Sequence, residues 1–99
     1  MALMQITMIP LGRGVGVGEY IAEIQRKLMV ENVTFKLTDM ATLIEGEAKD
    51  LFTIVEAIYE IPFDNGAVRV VTNISIDDRR DKQVHIGDKT RSVEKRLLK

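Results

Sequence analysis

Thr34-Phe35-Lys36-Leu37-Thr38-Asp39-Met40-Ala41-Thr42-Leu43-Ile44-Glu45-Gly46-Glu47 decides the fold, because it sets two short strands between two helical segments. Phe35 and Leu37 alternate with Thr34, Lys36 and Thr38, the period-two pattern of a half-buried strand. Thr42 to Glu47 is a second such run after the tight Asp39-Met40-Ala41 connection, so the pair reads as a hairpin.

Toward the N-terminus, residues 19–31 place Ile21, Ile24 and Leu28 at helical spacing. Glu19 and Glu23 lie near the start and Arg26 and Lys27 later, as the helix dipole favours, and Asn32 is the stop. Glycine recurs at every second position from Gly12 to Gly18, a spacing that predicts a loop over Leu11–Gly18. Residues 2–9 form a first strand closed by Pro10, with Met4, Ile6 and Met8 on one side and Gln5, Thr7 and Ile9 on the other.

Toward the C-terminus, Leu51, Ile54, Val55 and Ile58 lie on one stripe of a helix expected over Lys49–Phe63 and ended by Pro62. Asp64-Asn65-Gly66 is a turn, and the Val/Ile/Thr-rich run Ala67–Ile76 predicts a long fourth strand. Gly87 to Lys99 is a further helical segment with weak periodicity through Val93 and Leu97. The order β-α-β-β-α-β predicts an α+β, ferredoxin-like sandwich with a C-terminal helical segment, one domain over residues 1–99. Both helices then cover one sheet face. The other carries Ile9, Leu43 and Val71 among Thr7, Glu45, Arg69 and Asn73, too apolar for open water, which predicts self-association.

Composition narrows the function. With no cysteine there is no disulfide, thiolate nucleophile or thiolate metal site, and the cytoplasm is the expected compartment. No apolar run approaches the roughly 20 residues of a membrane span. The net charge of −1 is uneven, with a basic C-terminal end of mixed sign. Neither that mixture nor the five scattered aromatics makes a nucleic-acid surface.

Polar residues cluster in few places. Asp77-Asp78-Arg79-Arg80-Asp81-Lys82 follows the fourth strand, either as a self-paired solvated turn or as a carboxylate clamp. Strand alternation puts Glu45 on the non-helical face, near Asn73 and Thr7, where burial would require Arg69, a ligand nitrogen or other donors beside it. The glycine run lacks the Lys-Ser/Thr ending of a phosphate loop. His85 has no companions at metal-ligand spacing and is expected to be solvated or hydrogen-bonded, and no nucleophile–histidine–acid set is evident. No catalytic residue, metal or cofactor is expected.

Ile9-Pro10-Leu11-Gly12, Thr42-Leu43-Ile44-Glu45-Gly46-Glu47, Ile76-Asp77-Asp78-Arg79-Arg80-Asp81-Lys82 and Asp88-Lys89-Thr90-Arg91-Ser92-Val93 together resemble the small thiamine-binding protein family over nearly the whole chain. The resemblance implies a ferredoxin-like fold, dimers paired into homotetramers, and non-catalytic binding of thiamine or a related pyrimidine-containing small molecule. Family landmarks map to Pro10, Gly12, Thr42, Glu45, Gly46 and Asp77–Arg80. Arg13-Gly14-Val15-Gly16-Val17-Gly18 departs from the family in lacking hydroxyl residues that many relatives carry there. Resemblance and residue chemistry converge on an intersubunit sheet-face pocket. Glu45, Asp77 and Asp78 would suit a cationic heteroaromatic ring, and Asn73 or Thr42 its ring nitrogens. The alternative is a structural or regulatory oligomer without a thiamine site.

Overall fold

In the computed structural model, which describes residues 1–12 and 17–99, the elements are β1 (Ala2–Pro10), α1 (Val17–Val30), β2 (Thr34–Leu37), β3 (Thr42–Gly46), α2 (Ala48–Ile58), α3 (Ile61–Asp64), β4 (Val70–Asp78) and α4 (Asp88–Leu97). Residues 13–16 of the glycine-alternating segment lie outside the described residues. The strands form one antiparallel sheet in the order β2-β3-β1-β4, the ferredoxin-like arrangement.

The alternation in β1 sorts its side chains as expected. Ala2, Met4, Ile6 and Met8 are buried, while Gln5 and Ile9 face outward. The buried set packs with Tyr20, Ile24 and Leu28 of α1, Ile44 of β3, and Leu51, Ile54 and Ile58 of α2 in one core. Leu28, Ile44, Leu51 and Ile58 are almost wholly removed from water. At roughly 1.5–3 kcal/mol for each such side chain, this stripe-on-sheet burial is the main favourable term. Asn32 ends the turn after α1 in the left-handed region, φ 57°, where asparagine is among the few residues tolerated.

Several boundaries differ from expectation, and α1 begins at Val17, inside the stretch Leu11–Gly18 expected to be a loop. The helix expected over Lys49–Phe63 is broken at Tyr59-Glu60, and Pro62 does not terminate it. Pro62 sits in the first turn of α3, where its missing N–H has no intrahelical partner to lose. The fourth strand runs from Val70 to Asp78 rather than from Ala67 to Ile76. Ala67 is held by the preceding turn, its N–H donating to the Pro62 carbonyl at 3.1 Å, whereas Asp77 and Asp78 stay in register with Leu3 and Ala2.

Candidate functional site

Strand register determines which side chains meet. Leu3 of β1 lies between Glu45 of β3 and Asp77 of β4, and Gln5 between Leu43 and Ser75. These residues face away from the helices. Lys82 to Arg96 crosses the same face and leaves a cavity of about 870 Å³, floored by Leu3, Gln5, Leu43, Ser75 and Asp77.

Glu45 holds this crossing segment in place. Its side chain is 10% exposed, with Oε2 2.7 Å from His85 Nδ1 and Oε1 accepting the Ile86 N–H at 2.9 Å. Burial works against ionisation of Glu45, but the His85 and Ile86 hydrogen bonds outweigh it and hold the pKa below the usual carboxylate range. The bond to Glu45 correspondingly raises that of His85. The Asp88 carboxylate accepts the His85 backbone N–H at 2.9 Å and pairs with Arg91, carrying the chain of contacts into α4. The donors expected to offset a buried Glu45 therefore come from this segment.

The five residues expected to bind a ligand are not brought together. Asp77 lines the large cavity, and Glu45 anchors the segment beside it. Asn73 is exposed farther along the same face, opposite Thr7. Asp78 is in register with Ala2, and its carboxylate pairs with Arg80 at 2.8 Å. Thr42 points to the helices, is 7% exposed and receives a hydrogen bond from Gln25 at 3.2 Å. The arginines after β4 pair locally. Arg79 grips Asp81 through two bonds of 2.6 and 2.9 Å, and its guanidinium draws the Asp81 carboxyl down to about 2.

Thr42 belongs to a second, smaller cleft of about 200 Å³ between α1 and the β2–β3 turn. Ile6, Met8, Ile21, Ile24 and Ile58 supply apolar wall, and Asp39 lies in the lining. The Tyr20 hydroxyl donates to the Met8 carbonyl at 2.9 Å, fastening α1 to the end of β1. Gln25 donates through Nε2 to Thr42, while its Oε1 is sealed from water and has no donor among the described residues. An unpaired buried acceptor is uncommon in a folded protein and calls for an explanation. Sequence reasoning passed over Gln25, although a polar residue at the fourth position after Ile21 and next to Ile24 was a signal.

Among the described residues no group of three or more His, Asp or Glu side chains could hold a metal ion, and no helix is long and apolar enough to cross a membrane.

The family model described as thiamine-binding protein matches residues 4–94. The chain is 51% identical to a UPF0045 protein of Staphylococcus xylosus, covering 98% of this chain and 95% of that one. It is 45% identical to the UPF0045 protein YqgV of Bacillus subtilis, covering 98% of each. A solved structure of a hypothetical protein from Methanocaldococcus jannaschii superposes with a TM-score of 0.78 at 26% identity, over 94% of this chain and 95% of that one.

Proposed function

The chain belongs to the thiamine-binding protein family, and from that premise we propose that it binds thiamine or a related pyrimidine-containing molecule without transforming it, as an oligomer with a tetramer the expected form. The pyrimidine ring occupies the small cleft. The observation that carries this reading is the Gln25–Thr42 pair, which leaves the Gln25 Oε1 without a donor among the described residues beside a largely apolar wall. Rotation of the Gln25 amide toward the cleft brings Oε1, sealed from water in this structure, to an aminopyrimidine amino group that supplies the missing donor, and the Thr42 hydroxyl is free to donate to a ring nitrogen. Apolar walls suit the ring faces, and Asp39 is the carboxylate in the lining for an attached cationic ring.

Calorimetric titration of thiamine, and of the free aminopyrimidine, into wild type, Gln25→Leu and Thr42→Val tests this. Loss of one directed hydrogen bond corresponds to roughly a three- to tenfold weaker affinity. No binding to wild type sinks the function, and unchanged affinity in both variants sinks the cleft.

A second reading puts the ligand in the sheet-face cavity, favoured by the presence of Asp77 in its floor. There Asp77 meets the cation, and Glu45 acts by holding the covering segment. Asp77→Asn weakens binding on this reading and leaves it unchanged on the first.

A further inference from the structure

We propose that the cavity on the open sheet face is a second ligand site, which takes an amphiphilic anion: a phosphate monoester carried on an apolar body. This goes beyond the reading above, whose pyrimidine ring lies on the helix side of the sheet.

The helix over the cavity provides the first argument. Lys89, Ser92, Val93 and Arg96 all line it. At about 3.6 residues per turn these positions, spaced i, i+3, i+4 and i+7, form one stripe, so this is the face that α4 turns to the sheet. A helix laid on a sheet ordinarily presents apolar residues there and closes the layer. Here the stripe has two cations, a hydroxyl and one valine, and no residue of α4 is buried. Leu3 and Leu43 in the floor stay partly exposed. The two layers therefore stand apart, and the space of about 870 Å³ between them has the size of a small-molecule site.

Charge decides what that space accepts. Several ionised groups in its lining already have partners: Arg79 is held by Asp81, His85 by Glu45, and Asp88 by Arg91. Lys82, Lys89 and Arg96 have no carboxylate at ion-pair distance among the described residues. Arg96 donates only to Ser92, to its hydroxyl at 2.6 Å and its carbonyl at 3.5 Å. Against these three cations the lining sets one carboxylate outside any ion pair, Asp77, whose charge acts on Arg79. Asp77 alone would favour a cation, but the surplus in the cavity is positive and favours an anion.

The remaining lining narrows the class. A phosphate monoester carries a charge of roughly −1.5 to −2 at neutral pH and three acceptor oxygens, where a carboxylate carries a single charge and two oxygens. Two lysine ammonium groups and the planar fork of Arg96 match the former, and the Thr90 and Ser92 hydroxyls in the same wall can donate to it. Leu3, Leu43, Val84, Ile86 and Val93 offer apolar contact to the body of the ligand.

Naphthyl phosphate, whose fluorescence anisotropy reports its own binding, is the probe. The wild type should bind it, less tightly as salt is raised, and about tenfold or more tightly than inorganic phosphate, which has no surface to lay on the apolar floor. The double variant Lys89→Glu/Arg96→Glu should lose about tenfold or more in affinity. Both residues are exposed, so its circular dichroism should match the wild type. Lys82→Glu, in the stretch before α4, repeats the test outside the helix if the double variant unfolds. Asp77→Asn should tighten binding, the opposite of its effect on a cationic ligand in the same space. No binding to the wild type, or equal affinity in the folded charge-reversal variants, overturns the site. Naphthoate bound as tightly as the phosphate overturns the ligand class. Displacement of the probe by thiamine assigns the cavity to the ligand proposed above and overturns a separate anion site.

Discussion

His85 Nδ1 lies 2.7 Å from Glu45 Oε2 across 40 residues of sequence, and this contact joins the C-terminal segment to the open sheet face. Asp88 is the other carboxylate beside the imidazole, and Arg91 the nearby cation opposing it. Glu45, with its pKa lowered, contributes stability above the ordinary value of 4.5 and loses it as pH falls through the folded value. His85, with its pKa raised, contributes fully below 6.5 and loses its contribution as pH climbs through the folded value. The contact should be strongest between 4.5 and 6.5. Amide exchange at Ile86, whose N–H bonds to Glu45, should be slowest relative to its intrinsic rate in that window. Flat protection from pH 4 to 9 would remove the latch.

Tyr20→Phe should destabilise the fold by about 1 kcal/mol, because the Met8 carbonyl loses the buried hydroxyl donor that ties α1 to β1. Urea denaturation reads this as a lower midpoint with unchanged slope. Since that bond lies at the end of the small cleft, thiamine affinity should also fall if the cleft is the site.

Arg79→Ala and Arg80→Ala should leave the denaturation midpoint unchanged within error, in low and moderate salt alike. Their partners, Asp81 and Asp78, lie two residues away, and all of these groups are reached by solvent. Such pairs bring little net stability. Of the two readings of this cluster, the self-paired solvated turn matches the observed contacts, and a large loss in either variant would restore the clamp.

The fold was legible where one periodicity had one physical solution. Met4, Ile6 and Met8 can share a face only in a strand, and Ile21, Ile24 and Leu28 only on a helix; both stripes are buried or partly buried. Pro62 misled because its lost donor is disruptive inside a helix and harmless in the first turn, and local sequence cannot tell which turn it occupies. The site was less legible. Parity alone separates Thr42 from Glu45, three residues apart on one strand and hence on opposite faces. The Glu45–His85 contact depends on the path of a segment that no strand or helix pattern describes. Gln25 acquires meaning only from its neighbour Thr42, 17 residues away.

Gly87→Ala separates the two candidate sites while leaving Gln25, Thr42 and Asp77 in place. Gly87 precedes α4 at φ 96°, in the region that favours glycine, and a methyl group there would meet Arg91 Nη1 at 2.7 Å. The left-handed backbone alone costs a non-glycine residue roughly 1–2 kcal/mol. Displacing Arg91 would also disturb its pair with Asp88, which accepts the His85 N–H. Since no residue of α4 is buried, the loss should remain in the segment Lys82–Arg96 and spare the core. Amide exchange should quicken at Ile86 and through α4 while the protection of Met4 and Ile44 stays as it was. Thiamine affinity measured in parallel then discriminates between the sites. It should be unchanged if the ring lies between α1 and the β2–β3 turn, because that cleft has no lining residue from the C-terminal segment. It should fall if the ligand lies under the segment, where His85, Gly87 and Asp88 form part of the wall.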